Sequence, residues 1–337
     1  MDLLSFEDAY CDAQSKRKKI SVLLGNGFSM AYNPDRFSFT NLLQVARTEG
    51  IIDVDSKLSK LFDSLKTSDF EFVIKNLEAA LLVNKKYFPE VDLSNLQNDI
   101  KALKKHLVNT ITNNHPENVG EIMNVESSIC AKFLKKFEKI YTLNYDLLLY
   151  WVVLKEGLEN IFSDGFGGGY IKDEFGEDYE EDFVKFKEYT SNILFLHGAL
   201  HLFDNKVDTI KLTYSRTRKS LKEQIYRRLL KGIYPVFISE GTSDAKKEKI
   251  RHNYYLNHCF KSLRNQTGSL FVYGTNLKSN DEHILNQILT GKFDNLYIGV
   301  YSENSLDHAK MIKECFESKK GRTAILYVKI DKPLEVE

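Results

Sequence analysis

Ile20-Ser21-Val22-Leu23-Leu24-Gly25-Asn26-Gly27-Phe28-Ser29-Met30 is an apolar run that stops abruptly at a glycine pair. Such a run, bounded by glycine, predicts a buried strand that ends in a tight turn. A glycine pair after a strand lets backbone amides approach a phosphate or a ribose, and a helix starting there adds partial positive charge. The dinucleotide-binding pattern G-x-G-x-x-G/A fails at its third position, where Met30 stands. An acidic residue closing a second strand at the usual spacing is missing as well. By itself the turn therefore fits two readings, a ligand loop or a bend that needs glycine backbone. No G-x-x-x-x-G-K-[ST] stretch occurs, which excludes P-loop chemistry.

The same arrangement returns along the chain. Lys139–Leu143 runs into Thr142-Leu143-Asn144-Tyr145-Asp146, Ile193–Leu196 into His197-Gly198, and Leu270–Tyr273 into Gly274-Thr275-Asn276 and on to Asp281. Two further strands are expected at 296–300 and 324–328, with helices at 281–290 and 304–317 between these late strands. Near-continuous apolar strands alternating with helices predict a parallel sheet buried on both faces. Additional helices are expected at 6–18, 37–47 (capped by Ser38 or Thr40), 121–137, 147–156, 216–230 and 250–264. A strand is expected at 209–214, an apolar run covers 233–238, and 240–249 is polar. Between 55 and 112 the pattern is helical throughout, as in the three-and-four spacing of Leu58, Leu61, Phe62 and Leu65. The expected fold is α/β, a Rossmann-like parallel sheet with helices on both faces. One domain spans 1–337, and residues 55–137 form a helical insertion or lid within it.

Composition narrows the function classes. The chain has 337 residues, 47 basic and 47 acidic, so its net charge is zero. This balance argues against a protein that tracks nucleic-acid phosphates, and it permits self-association into a homo-oligomer. Cys11, Cys130, Cys259 and Cys315 form no C-x-x-C pair and have no histidine at zinc spacing, so no metal is expected. The acidic start of the chain has no apolar signal core, and no apolar stretch is long enough to span a bilayer. A cytoplasmic chain with free thiols and no membrane association is the expectation.

Each strand-end turn also has a plain structural reading. Asp146 could cap the following helix, His197 could be a packed core histidine, and Asn280 or Asp281 could cap the helix after Gly274-Thr275. His201 reads as surface or packing. The four turns together say more than any one of them. In order they read G-x-G-x-S, T-x-N-x-D, H-G and G-T-x-L, and this set resembles the sirtuin family and its wider group of sirtuin-like NADases. The closest likeness is to the bacterial anti-phage defence effectors of that group. It covers about residues 20–300, in short islands.

The resemblance implies that Gly25, Asn26, Gly27, Phe28 and Ser29, with Thr142 and with Gly274, Thr275 and Asn276, bind NAD as substrate. It implies catalytic roles for Asn144, Asp146 and His197. The zinc module of sirtuin deacetylases and its peptide-clamping residues are absent, which favours NAD hydrolysis over deacylation. The implied activity is that of an NAD glycohydrolase acting in abortive infection. A separate nucleotide-pyrophosphatase-like sensor subunit is its implied partner. The glycine-rich loop Asp164–Gly169 looks like a feature of the defence subgroup. Three other classes stay open. One is a module that senses NAD or ADP-ribose without turnover, the second is a protein ADP-ribosyl- or acyl-transferring enzyme, and the third is a non-nucleotide α/β enzyme in which the four turns coincide by chance.

Overall fold

The computed structural model describes residues 3–33, 42–113, 119–167, 183–187, 191–204, 208–214, 220–238, 242–319 and 321–328. After a first helix, α1 (Phe6–Ser15), the chain enters β1 (Ile20–Leu24) and then α2 (Asn26–Tyr32). All five residues of β1 are buried, as the apolar run requires. The helices α3 (Leu42–Thr48), α4 (Lys57–Ser64), α5 (Phe70–Tyr87), α6 (Ser94–Asn113) and α7 (Asn124–Leu134) follow, with a 3-10 turn at Val119–Glu121. The stretch expected to be helical throughout thus holds α4, α5 and α6. The helix expected at 37–47 is described only from Leu42, and its capping residues Ser38 and Thr40 lie outside the described residues.

Strand β2 (Lys139–Thr142) and helix α8 (Leu148–Lys155) come next, followed by β3 (Phe183–Lys185), β4 (Ile193–Phe195), β5 (Gly198–Asp204) and β6 (Thr209–Leu212). Helix α9 (Leu221–Leu230), β7 (Pro235–Phe237), α10 (Ser243–His252), α11 (Tyr254–Asn265), β8 (Thr267–Tyr273), α12 (Glu282–Thr290), β9 (Lys292–Val300), α13 (Glu303–Glu317) and β10 (Thr323–Val328) complete the order. The polar segment 240–249, not expected to be helical, contributes most of α10. Thr242 caps that helix by accepting from Ala245 N, and Asn253 breaks it and caps α11 by accepting from Leu256 N.

Six strands form one sheet in the order β10-β9-β8-β1-β2-β4, and every neighbouring pair is parallel. The order runs outward from β1 in both directions, through β2 to β4 on one side and through β8 and β9 to β10 on the other. It therefore reverses between β1 and β8. This is the doubly wound Rossmann order, and ligands of such sheets collect at the carboxyl edge where the order reverses.

Helices cover both faces of the sheet. On one face, Phe271 of β8 and Tyr297 of β9 stack, and α1 lies over them through Phe6 and through Asp12, which accepts the Tyr297 hydroxyl. Phe133 of α7 packs on Phe6. Tyr141 of β2 points to the other face, where its hydroxyl bonds Ser262 of α11 at 3.1 Å. The expected strand at 209–214 and the apolar run at 233–238 form β6 and β7. They belong to a second, antiparallel sheet of order β3-β6-β5-β7 rather than to the parallel one. The chain passes from one sheet to the other at His197-Gly198. Gly198 has φ +73°, and a Cβ there would meet the Val236 carbonyl oxygen. The acidic segment 173–182 lies outside the described residues, as do Gly168 and Gly169 of the glycine loop.

Candidate functional site

The four strand-end turns read from the sequence follow β1, β2, β4 and β8, four adjacent strands of the parallel sheet. Parallel pairing brings all four to its carboxyl edge. The first and last meet directly at the reversal point. Gly25 N donates to Tyr273 O at 2.8 Å, and Gly27 N donates to Gly274 O at 2.8 Å. A Cβ on Gly25 would lie 2.4 Å from the Thr275 Cβ, and one on Gly27 would lie 2.7 Å from the Gly274 Cα. The glycine pair is thus required by the close approach of two backbones. The amides of Gly25 and Gly27 are bonded within the fold, and Phe28 N donates to Gly25 O. The expected cradle of open amides is to that extent closed.

Ser29 and the β2 turn form one hydrogen-bonded group. Asn144 Nδ2 donates to Gly25 O at 3.0 Å and to Ser29 Oγ at 2.9 Å. The Gly25 carbonyl can only accept, which fixes the orientation of the Asn144 amide. Ser29 Oγ in turn donates to Asp146 Oδ2 at 2.6 Å. The other carboxylate oxygen, Oδ1, accepts from Leu148 N at 2.9 Å, at the start of α8. Asp146 stands one residue before the N-cap, Leu147, so it shapes the turn into α8 without capping the helix, and it belongs to the candidate site. Thr142 turns its hydroxyl to Asn144 N at 3.0 Å and shapes the turn from within. Burial of Asp146 pushes its carboxyl above the usual range, opposed by the hydrogen bonds from Ser29 and Leu148. Ser29, Phe28, Thr142 and Asp146 are buried. Asn26 is exposed, while Gly27, Asn144, Gly274, Thr275 and Asn276 are half-buried and form the rim.

His197 lies beside this group without bonding its side chains. It is 3 % exposed, and it hydrogen-bonds the backbone of Leu143, the residue before Asn144. Its Nε2 stands 3.1 Å from Nε2 of His283, with the ring centroids 5.2 Å apart and the ring planes at 22°, so the two rings meet tip to tip. His283 N donates to Ser243 Oγ at 2.7 Å, and Ser243 Oγ lies 3.2 Å from His283 Nδ1. Ser243 thus accepts from the backbone and has its own proton to donate to Nδ1. This assigns the remaining ring proton of His283 to Nε2, which donates to His197 Nε2. His197 then carries its proton on Nδ1, toward the Leu143 carbonyl. Asp281 Oδ1 lies 4.0 Å from His197 Nε2 and accepts from Lys246 Nζ at 2.9 Å. Burial, then Lys246, pushes His197 down to about 3. Burial, then His197, pushes His283 down to about 3, against the pull of Asp281. Both rings are neutral at neutral pH. Among the described residues, the side-chain atoms of His197, Asp281 and His283 form a group with the spacing of a metal site.

Sequence reading missed Ser243, Lys246 and His283, and it offered Asp281 only as an alternative to Asn280 for capping the helix. Asp281 does occupy the N-cap position of α12, but its side chain makes no cap bond and turns to Lys246. A search for cysteine spacing could not find a histidine pair whose members come from the β4–β5 turn and from α12.

Two cavities lie elsewhere. One of about 340 Å³ sits between α8 and the antiparallel sheet, lined by Tyr150, Phe166 and Phe195 and by the ion pair Lys211–Asp164. A groove of about 830 Å³ separates α3, α4 and α5 from α10, lined by Arg47, Asp63, Asp69 and Lys249. Neither of these two is lined by Asn144, Asp146 or His197.

The family model described as domain of unknown function DUF4917 aligns with residues 22–331. The chain belongs to the DUF4917 family. No curated protein matches it. The DUF4917 match begins within β1 and ends beyond β10, so it contains all four turns and the parallel sheet apart from Ile20 and Ser21.

Proposed function

We propose that this DUF4917 protein binds NAD at the carboxyl edge between β1, β2 and β8 and hydrolyses its nicotinamide–ribose bond. The observation that carries the reading is the bond set Gly25–Asn144–Ser29–Asp146 at the reversal point of a Rossmann-ordered sheet. It unites the first two turns of the sirtuin-like pattern in one group. The third and fourth turns flank that group, His197 through Leu143 and Gly274 through Gly25 and Gly27.

In this reading the half-buried rim of Gly27, Asn144 and the Gly274–Asn276 turn receives the dinucleotide. Asn144 Oδ1, which accepts no bond from the described residues, faces the ribose and the incoming water. Asp146 holds Asn144 in place through Ser29. The C–N bond to nicotinamide breaks with its electron pair moving onto the cationic ring nitrogen, so the leaving group departs neutral without a general acid. A water oxygen bonds the anomeric carbon, and the water's proton passes to a base. The products are nicotinamide, ADP-ribose and a proton. His197 is the base: it is neutral, but burial makes it a weaker acceptor than a free imidazole, so it must first gain access to solvent. Its Nε2 lone pair is engaged by His283, so the His197–His283 bond must open first. That engagement favours a second reading, in which the chain senses NAD or ADP-ribose without turnover.

The test is nicotinamide release by purified Asn144→Ala and His197→Ala variants. Loss of a general base costs roughly 10²–10⁴ in rate, and a loss of that size is expected for His197→Ala, with no less for Asn144→Ala. Parental cleavage by both variants overturns the site. Tight NAD binding without release by the parent chain selects the sensing reading.

A further inference from the structure

We infer that His197, His283 and Asp281 form a binding site for a divalent transition-metal ion of the zinc class. Two imidazole nitrogens of different elements converge head to head at 3.1 Å. Around a tetrahedral ion with metal–nitrogen distances near 2.05 Å, two such ligands stand about 3.3 Å apart. The pair is therefore already spaced for a shared ion. The Asp281 carboxylate, at 4.0 Å from His197 Nε2, supplies the third ligand after a small rotation.

The outer partners fit as well. Histidines that bind a metal through one nitrogen use the other to bond a carbonyl, carboxylate or hydroxyl. His197 has the Leu143 carbonyl in that place and His283 has Ser243 Oγ. The Ser243 hydroxyl can donate to the His283 ring or accept from it. His283 can therefore move its proton from Nε2 to Nδ1 and free both Nε2 lone pairs without releasing a proton to solvent.

Charge selects the metal. Lys246 offsets the Asp281 carboxylate, so the site offers no net negative charge. Hard cations such as Mg²⁺ and Ca²⁺, which depend on anionic oxygen, gain little there. Ions that bind imidazole strongly, such as Zn²⁺, Co²⁺ and Ni²⁺, still gain two nitrogen ligands. A bound ion ties the β4–β5 turn to α12. One consequence rests on the NAD reading: the ion occupies the His197 lone pair, so the loaded protein cannot use His197 as base and cleavage is inhibited.

The experiment is titration of the full chain, purified under chelation, with Co²⁺ followed by visible absorption and with Zn²⁺ followed by calorimetry. Expected are stoichiometric binding and cobalt bands without thiolate charge transfer, which separates this site from the exposed Cys11 and Cys315. His283→Ala loses that binding while keeping the parental circular-dichroism spectrum. Ser243→Ala weakens it by roughly 10–100-fold, the usual effect of removing an outer partner. Lys246→Met tightens it, a gain that misfolding cannot produce. Binding that is no weaker in His283→Ala, no tighter in Lys246→Met, or marked by thiolate bands overturns the inference. No NAD enters the titration, so stoichiometric metal binding by a chain that leaves NAD intact sinks only the NAD reading.

Discussion

At the scale of the residue, Ser29 carries more than its size suggests. It is fully buried, accepts from Asn144 and donates to Asp146. Ser29→Ala leaves the Asp146 oxygen without its donor, and an unsatisfied buried group costs about 1–3 kcal/mol. Denaturant titration should show a loss of that order, together with impaired nicotinamide release. The buried histidines give a second prediction. His197 and His283 are pushed down to about 3, and His201, buried beside Lys211, falls well below its usual value. In the unfolded chain they titrate near 6.5. The unfolded state therefore binds more protons below that pH, and stability should fall as pH drops from about 6.5 toward 3. Melting temperatures across this range test it, and His201→Leu should flatten the slope. A melting temperature constant from pH 7 to pH 4 would contradict the burial of these rings as neutral groups. Asn144, Asp146 and His197 were legible as candidates because each lies within a few residues of the end of an apolar strand. His283 was not, since it sits in the first turn of α12, where a histidine carries no positional signal.

At the scale of the element, the contact between the β1 and β8 turns is the most constrained feature. The sequence showed two glycine-containing turns some 250 residues apart, but only the fold shows that they touch. Gly27→Ala places a Cβ 2.7 Å from the Gly274 Cα. Overpacking of this kind costs about 1–3 kcal/mol, and the shift should also displace Asn144 from the Gly25 carbonyl. A chemical-denaturation midpoint equal to the parent's would contradict the tight approach. The strands of the parallel sheet were readable because each is apolar on both faces. Helix α10 was not, because it buries little beyond Lys246 and Ile250 and shows no apolar stripe. The antiparallel sheet was legible only in part: β6 was expected as a strand and β7 as an apolar run, but β3 is only three residues long and β5, buried along nearly its whole length, shows no alternation.

At the scale of the whole molecule, the strand order explains why four separate turns come to one edge of the sheet. Parallel strands all end on the same edge, and reversal at β1/β8 opens that edge to a ligand. The helical block between β1 and β2 bears on this edge from the side. Met123 N donates to the Tyr32 hydroxyl of α2, the helix that carries Ser29. Elsewhere the block is tied to the later elements, by Glu78 with Tyr234 and by Asp69 with Lys249. No described helix is long and apolar enough to cross a membrane. Because β1 is flanked on both sides and wholly buried, its amides and those of β8 should be among the slowest to exchange with deuterium. Fast exchange there would contradict the central place of β1. The central claim is met most directly by incubating the purified chain with NAD, alone and with the proteins encoded beside its gene, and measuring free nicotinamide. The account predicts nicotinamide and ADP-ribose in equal amounts. NAD recovered intact under every condition would contradict it.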